Sequence, residues 1–180
     1  MRRNAMAALL GAALAMPLQA ADFSPYVDAA GRISLPSDVR ARLVHLGSWA
    51  VVDADSPARG FHDVYTEHAS AEHYRKTGAF PDGATLVKEI RVLNTGPMTT
   101  GNPVHWGSDP AVWFVMVKDA KGRFPGHPLW ADGWGWALYK ADDPAKNVAT
   151  SYAKDCQSCH VPAAATDRVF VHGYPTLTAP

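Results

Sequence analysis

Cys156-Gln157-Ser158-Cys159-His160 sets two thiols and an imidazole in the order C-x-x-C-H. That order is the attachment pattern of c-type haem. Thiols at this spacing add to the two vinyl groups of one haem, and the imidazole that follows becomes an axial ligand of the iron. These are the only two cysteines in the chain. Three other uses of such a pair compete. Structural zinc takes four ligands, and no second pair is present. A redox C-x-x-C is expected beside a βαβ pattern, which the surrounding sequence lacks. A local disulfide leaves His160 without a role. The motif is therefore read as a haem c site, with Cys156 and Cys159 as attachment points and His160 as the iron ligand.

A second chemical feature is Lys88, in the run Thr85 to Leu93. With a period of two, Leu86, Lys88, Ile90 and Val92 share one face of a strand. Val87, Glu89, Arg91 and Leu93 share the other. Lys88 is the odd member of an apolar face. At a sheet edge such a lysine snorkels to water. Aimed into a buried site, its amine loses hydration, its pKa falls and it becomes a nucleophile.

Other elements must position these groups. Asp22 to Leu35 reads as irregular, and Val39 to Leu43 as a short helix capped by Ser37. Strands are expected at Trp49 to Asp53, Phe61 to Tyr65, Thr85 to Leu93, Ala111 to Val117 and Trp134 to Tyr139. A helix capped by Ser70 runs to Thr77 and stops at Gly78. Asn94 to Asp109, rich in Gly and Pro, reads as a long loop over the site, and Lys121 to Gly133 as another. Asp143-Pro144 opens a helix from Ala145 to Asp155 that delivers the C-x-x-C-H, and Val161 to Pro180 returns as loop. The class is α+β: a largely antiparallel sheet of about five strands, a few short helices and a C-terminal helix carrying the motif.

Residues 1–20 read as a secretory signal, with Arg2 and Arg3 before the apolar run Ala5 to Met16 and a small residue at Ala20. The run is too short to span a bilayer. Residues 21–180 are then one exported domain, expected in a bacterial periplasm with no membrane anchor. The chain has 17 basic and 17 acidic residues; without Arg2 and Arg3 the balance is 15 against 17, near −2. No excess of positive charge points to nucleic acid or an anionic membrane. Six tryptophans suit a wall around a large flat cofactor as well as an ordinary core. Phosphate-binding, dinucleotide, zinc-protease and serine-hydrolase motifs are absent.

Tyr65-Thr66-Glu67, the run from Glu72 to Gly78, and Phe80 through Glu89 resemble the cytochrome P-460 family. So does the ending, Cys156 to His160 followed by Thr166-Asp167 and Tyr174-Pro175. The same fold group holds the cytochrome c′-beta proteins. The resemblance implies an antiparallel sheet with a few helices, a homodimer, and one high-spin haem with an open distal face. It also implies a covalent bond between the haem macrocycle and a lysine, here Lys88. Enzymatic members oxidise hydroxylamine, with nitric oxide involved, and pass electrons to a soluble redox partner.

One departure stands out. An alignment on Val117-Lys118-Asp119 puts Phe114 where the hydroxylamine-oxidising type is expected to carry a carboxylate. A phenyl ring takes no proton, but it crowds the sixth site, as phenylalanines do in cytochrome c′-beta proteins, which bind nitric oxide or carbon monoxide. Phe61 is the second residue expected in such a distal cap. His62 and His68 are the proton-transfer candidates, since His is the usual base near neutral pH; Glu89 and Asp63 lie close by, and each of these four also reads as a solvated surface residue. Met98 or Met116 on the iron would instead make an electron-transfer cytochrome, although both suit packing.

Overall fold

The computed structural model describes residues 23–178, so the expected signal segment lies outside the described residues. Strands β1 (Val44–Val51), β2 (Gly60–Thr66), β3 (Thr85–Met98), β4 (Gly101–Lys118), β5 (Trp130–Ala131) and β6 (Trp134–Lys140) build one sheet. Its order is β1-β2-β3-β4-β6-β5, and every pairing is antiparallel. The class is α+β as expected, with six strands instead of five. The extra strand is β5, two residues inside the expected loop Lys121 to Gly133.

Both faces of the sheet are covered, which explains why β2 is buried along nearly its whole length. One face carries Val64, Leu86, Met116, Trp134 and Trp136, and packs on Ala71 and Tyr74 of helix α2 (His68–Thr77) and on the C-terminal residues Tyr152, Val169, Tyr174 and Leu177. The other carries Tyr65, Val87, Val115, Val117 and Tyr139, and packs on Val27, Ile33 and Val39 of the N-terminal arm. Helix α1 (Val39–Arg42) ends that arm. It starts at Asp38 in a left-handed conformation without a side-chain cap, so Ser37 does not cap it. Helix α2 starts two residues before Ser70, whose hydroxyl donates to Glu67 at 2.9 Å. Gly78, at φ +75°, closes α2 through its N–H to the Tyr74 carbonyl.

Two further expectations are corrected. Asn94 to Asp109 is the outer half of a β3–β4 hairpin and not a loop, turning at Thr99-Thr100. Its Gly and Pro residues fit because register shifts interrupt the ladder between Arg91 and Leu93 and between Gly96 and Met98. Here β3 and β4 have only each other. The β2 pairing stops at Phe61–Arg91, and the β6 pairing stops at Val112–Lys140. Second, Ala145 to Ser151 is not helical. Helix α3 is Tyr152–Asp155 and helix α4 is Gln157–His160, with Cys156 between them at φ −131°. Beyond β5, the backbone of Leu138 on β6 needs partners. Val148 donates to its carbonyl at 2.8 Å, and the Asn147 side chain accepts from its N–H at 3.0 Å. That pairing outweighs helix propensity.

After α4 the chain returns across the sheet in three 3₁₀ turns, Val161–Thr166, Val171–Gly173 and Pro175–Leu177. It is tied down by Thr176 Oγ1 to the His45 carbonyl at 2.9 Å and by Arg75 Nη1 to the Thr176 carbonyl at 2.8 Å. It passes so close to β1 that a Cβ on Gly47 would lie 2.0 Å from the Gly173 carbonyl oxygen. Glycine is required there for close approach.

Candidate haem site

The α3–α4 segment and the returning chain close over the sheet face that carries Lys88. Two adjoining cavities, of about 100 and 290 Å³, share Lys88, Phe114, Met116, Cys159 and His160. The smaller is walled by Trp49, Val64, Leu86, Phe170 and Tyr174, and the larger by Ile90, Val112 and Trp136. The sequence thus separates groups that the fold brings together: a strand lysine, a strand phenylalanine and the C-x-x-C-H.

Both thiols are free; Cys156 is half-buried and Cys159 exposed. Burial pushes the Cys156 thiol up to about 11. The His160 ring is fixed by Nδ1–H donating to the Arg168 carbonyl at 2.8 Å. With Nδ1 protonated, the Nε2 lone pair is left for a metal. Burial lowers the His160 pKa from 6.5, which keeps the ring neutral, and the Trp136 ring meets it edge-on at 4.6 Å. Two thiols and a neutral imidazole opening on one apolar cavity are the donor set that a haem requires, and the residues present fit it.

Lys88 sits in the cross-strand row Val64–Lys88–Phe114–Leu138. Its Nζ lies 4.3 Å from the centroid of the Phe114 ring. Among the described residues no carboxylate pairs with it. A cation–π contact supplies about 0.5–2 kcal/mol, whereas stripping water from an ion costs several kcal/mol. Desolvation wins, and the Lys88 pKa falls below 10.5 although the nearby Cys159 opposes the shift.

The remaining site candidates divide by strand alternation. His62 shares the Val64 face of β2 and pairs with Ile90, beside Lys88, but lines neither cavity. It is 3% exposed and stacks on Trp49 with centroids 5.1 Å apart. Its Nε2–H donates to the Ala58 carbonyl at 2.8 Å, and its Nδ1 is buried without a partner. Burial, with the Lys88 charge adding to it, lowers the His62 pKa from 6.5. Met116 is buried and lines both cavities.

Phe61, one residue from His62, necessarily points to the opposite face, where Arg91 lies over its ring at 5.5 Å. It lines neither cavity, so the expected distal cap reduces to Phe114. His68 is at the exposed start of α2, 3.5 Å from Glu72, and is remote from the cavity lining. Met98 is exposed near the hairpin turn and also lies outside that lining. Asp63 and Glu89 are buried, not solvated. They lie in register on the far face, Asp63 with Arg91 at 2.8 Å and Glu89 with Arg40 at 2.8 Å and Trp113 Nε1 at 3.2 Å. Asp155 is the single carboxylate among the lining residues, and it accepts from Thr150 N and Ser151 N at 2.6 and 3.1 Å. Sequence reasoning missed Val64 and Phe170 as wall residues and pointed to Trp49 only through the general reading of the tryptophans as a wall. Tyr174 was visible only as part of a quoted motif.

The unpaired lysine has a pH signature in the haem-free protein. Its folded pKa lies below the unfolded value of 10.5, so the unfolded chain binds more protons between the two. Stability then rises with pH across that interval and the penalty is gone above 10.5. Lys88→Met removes the group while keeping an apolar shape. The variant is expected to be more stable than wild type by about 1–3 kcal/mol at neutral pH. Denaturant titrations should show that advantage shrinking as pH climbs toward 10.5; a difference that stays constant with pH would contradict a desolvated, unpaired Lys88.

Comparison with known proteins agrees with this geometry. The family model described as Cytochrome P460 matches residues 44–171, a span that holds Lys88, Phe114 and Cys156 to His160. A comparison with curated proteins finds no match. The family match covers well over half of the chain and every shared residue of the two cavities, and the chain belongs to the cytochrome P460 family of haem cytochromes.

Proposed function

We propose that the protein is a periplasmic cytochrome carrying one haem c, bonded through Cys156 and Cys159 and ligated by His160. The opposite side of the site is open to a small nitrogen species, for hydroxylamine oxidation or nitric oxide chemistry, with electrons leaving to a soluble redox partner. The observation that carries the reading is the convergence of Lys88, Phe114, Cys159 and His160 on both cavities. The haem, when bound, supplies a redox-active iron that takes a small ligand. Lys88, its ammonium form disfavoured by burial, is the residue for the lysine–macrocycle bond that family membership suggests. His62 is the nearest proton-transfer candidate: it lies on the cavity face of β2 behind the lining residues, neutral by burial and with Nδ1 unpartnered. A helix long and apolar enough to cross a membrane is absent among the described residues.

One observation favours a second reading, a gas-binding protein of the cytochrome c′-beta kind. The cavity walls are apolar, and their single carboxylate, Asp155, is engaged by backbone N–H groups. The protein matured in a periplasm is expected to show a high-spin ferric spectrum and to bind nitric oxide when ferrous. It is expected to oxidise hydroxylamine with an artificial acceptor. His62→Gln should lower turnover by roughly 10²-fold and leave nitric oxide binding intact. Binding without turnover selects the gas-binding reading. A low-spin ferric spectrum, as Met116 on the iron would give, contradicts both.

The expected homodimer has a surface suited to it. On the hairpin arm beyond Arg91, Val92, Met98 and Trp106 are 50%, 46% and 37% exposed. A lone two-stranded arm is marginally stable in water, and a second copy of the chain supplies the same arm in a self-complementary contact. Sedimentation should show a dimer, and Val92→Lys with Trp106→Lys should give a monomer. A monomeric wild type contradicts this arrangement.

A further inference from the structure

Asp167 and Arg168 are consecutive non-glycine residues in the left-handed region, at φ +57° and +67°. L side chains resist that conformation, so surrounding contacts must hold it. They are dense. The Lys118 ammonium pairs with one Asp167 carboxylate oxygen, and the Phe80 N–H donates to the other at 3.0 Å. Trp134 Nε1–H donates to the Asp167 carbonyl at 3.0 Å, and Lys118 lies over the Trp134 ring at 4.9 Å. The Arg168 N–H donates to the Ala163 carbonyl at 2.8 Å, and its guanidinium reaches Asp132 at 2.9 Å. The outcome is that the Arg168 carbonyl points at His160 Nδ1.

We propose that Lys118 and Asp167 are positioning residues for His160: their ion pair locks the left-handed turn that sets the Arg168 carbonyl on Nδ1, and so fixes the imidazole in the tautomer whose Nε2 can bind iron. This rests on His160 as the axial ligand. A hydrogen bond accepted from Nδ1–H orients a metal-bound imidazole and makes it a stronger donor. Stronger donation stabilises the ferric state, so the clamp lowers the reduction potential.

The first test needs no haem. Nitrogen NMR of the neutral His160 ring in the haem-free protein should show Nδ1–H in wild type. Asp167→Asn and Lys118→Met should both move the population toward Nε2–H. Trp134→Phe, which deletes one hydrogen bond to Asp167, should give a smaller shift in the same direction and serves where the other two do not fold. Arg168→Gly keeps the carbonyl and relieves the left-handed strain, and should retain the wild-type tautomer. In the haem-loaded protein, Asp167→Asn should raise the midpoint potential and lower the iron–histidine stretching frequency. A shifted tautomer in the haem-free protein with an unmoved potential upholds the clamp on the free ring and refutes its effect on the bound iron. Variants that lose only melting temperature, with tautomer and potential unchanged, overturn the proposal.

Discussion

The antiparallel register of β2, β3 and β4 is the constraint on which the site depends. It sets Val64, Lys88, Phe114 and Leu138 in one row across four strands. A slip of a single residue in β3 would turn Lys88 to the far face and bring Glu89 into the cavity. Two closed cores oppose any slip, because Val87 and Leu86 are each buried on their own side. The packing that stabilises the sheet is thus the same packing that aims the lysine.

The two faces divide the charges. On the far face, Asp63 and Glu89 are buried with Arg91 and Arg40, so each carboxylate keeps an opposite charge within hydrogen-bond reach. On the cavity face the lysine has a phenyl ring, a thiol and the His62 and His160 rings nearby, and no carboxylate partner among the described residues. A carboxylate beside Lys88 would hold it charged. Keeping Asp63 and Glu89 behind the strand, with Asp155 engaged by backbone N–H groups, is what leaves the amine prone to lose its proton.

Much of this was legible in the residues. C-x-x-C-H is local, and its chemistry follows from spacing alone. Lys88 showed through the period-two pattern because a lone cation on an apolar face has few explanations. Phe114 was reachable only by alignment, and Phe61 lies on the face away from the cavities because it alternates with His62. What remained hidden depended on tertiary pairing. Val148 prefers the open edge of β6 to a helix, and the Gly- and Pro-containing arm remains a ladder because its register shifts absorb the irregular residues. Asp63 and Glu89 looked like surface residues because their arginine partners are distant in sequence or on another strand. Arg168 acts through a backbone carbonyl, which no side-chain pattern reveals.

The central claim is that residues 68 positions apart, Lys88 and Cys156, serve one haem. Peptide mapping by mass spectrometry of the protein matured in a periplasm tests it most directly. The account predicts one haem mass joining the peptide from Cys156 to His160 to the peptide containing Lys88. A haem absent from the Cys156–His160 peptide would contradict the account at its foundation. A haem held by the cysteines alone would contradict the lysine bond and leave the open-site, gas-binding cytochrome.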